Sequence, residues 1–82
     1  MAFLTPRETI ALTVLVGRGA TSTADLSRAV TEIVAKDVSP EAAAALARSL
    51  VGQDMAERSS AAGQETYRAT AEGQAWLEAN GG

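Results

Sequence analysis

The sequence predicts a mainly α-helical domain with one small β-hairpin, in the order helix, short strand, helix, helix, two-stranded hairpin, helix. Three observations carry this. The pairs Thr5-Pro6 and Ser39-Pro40 mark helix starts, because a cap hydroxyl accepts from an orphan N–H and proline has no N–H to lose at the first helical position. Apolar residues then recur with the 3.6-residue period of a helix as far as Gly52. After Met55 that period gives way to alternation among β-formers, clearest over positions 65–70.

The first helix follows Thr5-Pro6, with Glu8 where a capping-box acid belongs. Ile10 and Val14, then Ala11 and Leu15, stack at i, i+4, and Leu12 and Val16 widen the stripe. Phe3 and Leu4 can staple onto the first turn, and Gly17-Arg18-Gly19 ends it. Ala20-Thr21 is too short for an independent strand but can pair with one. Ser22 caps a second helix, with Asp25 in the box position, and Lys36-Asp37 is expected to close it. Its apolar stripe is Leu26, Ala29, Val30, Ile33 and Val34. Ser39-Pro40-Glu41 opens a third helix that runs to about Gly52, with Ala43, Leu46, Ala47, Leu50 and Val51 facing inward. Met55-Ala56-Glu57-Arg58 is the outgoing strand and positions 59–64 the turn, which contains Gly63. Positions 65–70 form the returning strand, with Tyr67 packed under the hairpin. Thr70 caps a last helix over 71–79, anchored by Trp76 and Leu77, and 80–82 is a loose end.

Composition narrows the function. At 82 residues the chain is one domain, spanning 1–82, with only a modest core. There is no cysteine and no histidine, which removes disulfides, thiolate metal sites and the commonest general base together. Asp25, Glu32 and Asp37 occupy helix-surface positions, and Gly17-x-Gly19 lacks the setting of a nucleotide fingerprint. No enzyme activity, metal or cofactor is therefore expected. No apolar run approaches the roughly 20 residues that span a bilayer, and the start has no signal-peptide pattern. A soluble cytoplasmic protein with no membrane partner is the expectation. The net charge is −3 at pH 7, and Lys36 is the one lysine among seven basic residues. Net acid opposes non-specific binding to DNA, although the charge on one face is what counts.

Two helices joined by a short turn and followed by a hairpin is the layout of a winged helix-turn-helix. Specific stretches strengthen it. The segment from Val38-Ser39-Pro40 through Leu46 and Leu50 to Met55-Ala56-Glu57-Arg58 resembles the third helix of PadR-like regulators and its lead into the wing. Tyr67-Arg68-Ala69-Thr70-Ala71-Glu72-Gly73-Gln74-Ala75-Trp76-Leu77 resembles the Tyr-Arg-Leu-Thr-x-x-Gly-x-x-x-Leu ending shared by PadR, MarR and related bacterial winged-helix families. With Leu4-Thr5-Pro6-Arg7-Glu8, the likeness spans nearly the whole chain. It implies a DNA-binding transcriptional regulator acting as a homodimer on double-stranded DNA.

In that reading the third helix presents Glu41, Ala42, Ala45, Arg48 and Ser49 outward. Arg48 suits a guanine or a phosphate, Ser49 a phosphate, and alanine a thymine methyl. Arg58 and Arg68 lie on the two wing strands, where phosphates or the minor groove are within reach. The competing arrangement is cross-strand ion pairing of both with Glu57 and Glu65. Ser59, Ser60 and Gln64 add neutral donors, and Arg28 and Ser39 support. Arg7 and Arg18 read as solubilising residues. Trp76 and Leu77 are core anchors and, where exposed, the expected dimer or partner contact. The alternative is an acidic winged-helix protein-interaction module that does not bind DNA. Alanine at 42 and 45 would then let a partner helix approach closely.

Overall fold

Every helix begins on a hydroxyl. In the computed structural model, which describes residues 4–61 and 63–80, α1 is Pro6–Arg18, β1 Thr21–Ser22, α2 Thr23–Val34, α3 Pro40–Gly52, β2 Ala56–Ala61, β3 Gln64–Ala69 and α4 Ala71–Asn80. Thr5 and Glu8 close a capping box on α1: Thr5 Oγ1 accepts from Glu8 N at 3.2 Å, and Glu8 Oε1 accepts from Thr5 N at 2.9 Å. Ser22 Oγ accepts from Asp25 N at 3.2 Å and Ser39 Oγ from Ala42 N at 3.1 Å. Thr70 Oγ1 accepts from Gly73 N at 3.0 Å. Each bond satisfies a first-turn donor that the helix itself cannot.

The three strands form one antiparallel sheet in the order β1-β3-β2. Thr21 and Ser22 sit opposite Tyr67 and Thr66, so the expected strand pairing forms one residue later than Ala20-Thr21 and gives the hairpin a third member. Tyr67 is wholly buried where the sheet meets the helices. Around it Leu12 and Leu15 of α1, Leu26 and Val30 of α2, and Leu50 of α3 form the fully buried centre of the core.

Helix α4 seals the assembly through close backbone contact. Gly73 is buried, and a Cβ there would stand 2.1 Å from the carbonyl oxygen of Met55. Thr70 fixes the same junction: its N–H donates to Met55 O at 3.0 Å and its hydroxyl to Asp54 O at 2.7 Å. Trp76 and Leu77 lie half-buried against the core.

Several expectations need correction. Ile33 is not a core residue but is 55% exposed. Helix α2 stops at Val34 rather than at Lys36-Asp37, because Ala35 turns left-handed at φ 58°. The wing strands are longer than expected, with Ser59 and Ser60 paired to Thr66 and Glu65 rather than looping. Met55 lies just before β2, and Gly63 remains in the turn at φ 79°. Asn80 belongs to α4, its side-chain amide donating to Trp76 O at 3.0 Å. The staple partner Phe3 and positions 81–82 lie outside the described residues; Leu4 packs half-buried against the core. No helix among the described residues is long and apolar enough to cross a membrane.

Candidate nucleic-acid interface

Helix α3 is held at both ends and along its inner face. At its start, the turn from α2 is fastened by side chains. Thr31 Oγ1 accepts from Val38 N at 3.0 Å and donates to Val38 O at 3.3 Å, and Ser27 Oγ donates to the same carbonyl. Val38 and Ser27 are buried, so these bonds meet needs that water does not. Ala43, Ala47 and Leu50 are buried beneath the helix. At its far end Asp54 adopts φ 62° and Met55 N donates to Leu50 O at 2.9 Å, turning the chain into β2. Aspartate tolerates this left-handed turn better than most residues with a Cβ.

A polar cluster ties α3 to α1. Glu8 is 7% exposed. Its Oε1 is taken by the α1 cap, while its Oε2 accepts from the Ser49 hydroxyl and from Gln53 Nε2 at 3.2 Å. The Ser49 hydrogen bond and the Thr5 backbone N–H, working against desolvation, hold the Glu8 carboxyl below its ordinary range. Ser49 is exposed as a residue, but its hydroxyl is directed to Glu8. Sequence reasoning missed Ser27, Thr31 and Gln53, and saw Glu8 only as a cap.

The outward face of α3 carries Glu41, Ala42, Ala45 and Arg48, all exposed. Arg48 enters no ion pair among the described residues. Ser39, at the helix start, and Arg28, on α2, are also exposed.

The wing is charge-balanced. Arg58 Nη1 lies 3.4 Å from Glu65 Oε1. Arg68 Nε donates to Glu57 Oε1 at 3.0 Å, and its Nη2 contacts the same oxygen. Arg58 stands opposite Tyr67, whereas Arg68 stands opposite Glu57, so alternation along the strands sets the two arginines on opposite faces of the hairpin. Both nevertheless border one open cleft of about 460 Å³, together with Ala20, Glu57, Ser59 and Thr66. Among the described residues no group of three or more His, Cys, Asp or Glu is placed to hold a metal ion.

No protein-family model matches the chain, and neither does any curated protein. Solved structures do. The chain is similar to H. salinarum RosR, with a TM-score of 0.83 and 24% identity, covering 94% of this chain and 70% of that one. It is similar to Bordetella bronchiseptica BpsR, whose DNA binding is described as regulated by 6-hydroxynicotinic acid, with a TM-score of 0.80, 20% identity, and 93% of this chain covered. The chain spans about half of BpsR, 52%. F93 from STIV, described as a winged-helix DNA-binding protein, matches with a TM-score of 0.77 and 20% identity over 95% of this chain and 86% of F93. At such identities the likeness carries the fold: this chain is a winged helix, with α2 and α3 as its helix-turn-helix and β2 with β3 as its wing.

Proposed function

We propose that this chain is a DNA-binding transcriptional regulator of the PadR/MarR-like kind, acting as a homodimer with α3 in the major groove and the wing along the backbone or minor groove. The observation that carries the reading is the outward face of α3. Ala42, Ala45 and Arg48 are exposed on a helix whose other face and both ends are fixed. Small side chains let the helix approach base edges, alanine suits a thymine methyl, and an arginine outside any ion pair can donate to guanine or phosphate. Arg28 and Ser39, both exposed, are the proposed backbone contacts. Ser49 supports the interface through Glu8. The DNA binding described for BpsR and F93 favours the same reading. One such module buries only about 600–1,000 Å² against DNA, so a second copy is needed for useful affinity. Trp76 and Leu77, half-buried on α4, are the proposed contact between copies.

Fluorescence anisotropy with random duplex DNA tests the proposal. Affinity is expected to fall steeply between about 50 and 200 mM salt. Arg48→Ala is expected to cost about 1–3 kcal/mol on preferred sequences if Arg48 reads a base, or to lower the salt slope by about 1 if it grips a phosphate. Absence of binding at roughly 100 μM protein in low salt, the weak end of ordinary non-specific affinity, overturns the reading. It would favour a winged-helix protein-interaction module, for which the paired wing arginines speak.

A further inference from the structure

Both wing arginines are occupied, each on its own face. Arg58 pairs with Glu65 on the Tyr67 side of the hairpin, and Arg68 pairs with Glu57 on the other side. Neither face therefore offers uncompensated positive charge to a phosphate. These pairs are open to water: the side chains are 56% and 40% exposed for Arg58 and Glu65, and 63% and 52% for Arg68 and Glu57. Exposed pairs add little to folding, so the wing does not need the ion pairs to stand. Glu65 Oε2 also accepts from the hydroxyl of buried Tyr67 at 3.1 Å, a bond that glutamine in its place can replace by donating its amide N–H to the phenol oxygen. Their larger effect falls on a polyanion. A phosphate approaching either arginine meets a carboxylate already seated there, and must displace it or accept its repulsion.

We propose that Glu57 and Glu65 set the DNA specificity of this protein by masking the wing arginines. The inference rests on the DNA-binding reading above. Sequence-independent affinity grows with the number of phosphates neutralised. A masked wing withholds two such contacts and leaves discrimination to the exposed face of α3. Weak non-specific binding is an advantage, because competing genomic sites lower occupancy in proportion to their own affinity. The two carboxylates are thus specificity-determining residues that touch the arginines rather than the DNA.

The test is the double variant Glu57→Gln/Glu65→Gln, which keeps shape and an acceptor for each arginine but removes the charge. Binding to random duplex is measured by anisotropy across a salt series. Because each phosphate contact contributes about −0.9 to the slope of log K against log salt, the variant is expected to steepen that slope by about 1.8. Extrapolated from 1 M to 50 mM salt, each unmasked arginine then gives on the order of tenfold tighter binding. A charge-matched control, Glu32→Gln/Glu78→Gln, changes exposed residues on α2 and α4 and is expected to move both quantities much less. Wild-type binding with an unchanged slope in the wing variant overturns the masking while leaving DNA binding intact. An equal gain in the control also overturns it, by showing that net charge alone acts. Failure of all three proteins to bind at low salt removes the DNA-binding reading and the masking with it.

Discussion

Replacing Gly73 by alanine asks α4 to step back from the backbone it rests on. The new methyl would lie 2.1 Å from Met55 O and 3.1 Å from Leu12 Cδ1, where ordinary contact begins at 3.4 Å. The obstacle is a carbonyl whose oxygen also accepts from Thr70 N, so no rotamer change relieves it. Relief needs a displacement of roughly 1 Å, which strains that bond and the Thr70 hydroxyl bond to Asp54 O. Overpacking of this kind costs about 1–3 kcal/mol, and each weakened hydrogen bond about 1 kcal/mol more. Alanine's better helix propensity returns at most about 1 kcal/mol. The net expectation is a loss of about 2–4 kcal/mol. At about 4–8 °C per kcal/mol for a domain this small, the thermal midpoint read by far-UV circular dichroism drops by roughly 10–30 °C. Gly17→Ala is the matched control. Gly17 is exposed in α1 with nothing within 4 Å of the added methyl, and the substitution is expected to stabilise by about 0.5–1 kcal/mol. A Gly73→Ala midpoint at or above wild type would refute the account of how α4 is seated.

Other substitutions probe the supports of α3. The carboxyl of Glu8 titrates below its ordinary range in the folded chain, so it contributes stability at neutral pH that fades as pH falls through that lowered value. The midpoint difference between wild type and Glu8→Gln is expected to shrink on acidification, and a gap that stays constant from neutral to strongly acidic pH would contradict this. Thr31→Val leaves the N–H of buried Val38 without its partner and is expected to cost about 1–3 kcal/mol in urea unfolding, with faster amide exchange at the start of α3. Ile33→Glu is expected to change stability by less than about 0.5 kcal/mol, as an exposed position should. A loss of about 2 kcal/mol or more would return Ile33 to the core.

The parts of the fold legible in the sequence are those decided within a few residues. Thr5, Ser22, Ser39 and Thr70 act as caps because a cap bond closes over two or three residues. Ile33 misled because the apolar period continues into the last turn of α2, and a period alone does not say which of its positions other elements cover. The extent of the wing was hidden for a different reason. Ser59 and Ser60 have turn composition, but strand membership is decided by the partners opposite them, here Thr66 and Glu65. Ser27 and Thr31 were missed although a signal existed: they are spaced i, i+4 immediately after Leu26 and Val30, in phase with the buried stripe. The bond from Ser49 to Glu8 joins positions 41 residues apart, and no local pattern announces it. The wing pairs were anticipated among Glu57, Arg58, Glu65 and Arg68, but which glutamate serves which arginine follows from the register.

The fastenings of α3 have an evolutionary corollary. Ser39, Ala43, Ala47, Ser49 and Leu50 secure the helix, whereas Glu41, Ala42, Ala45 and Arg48 project away and bear none of that burden. The outer positions form a replaceable cassette on a permanent mount. A library randomised at those four sites should retain a cooperative melt in most members, so the outer face of α3 can change by few substitutions without its folding being solved again.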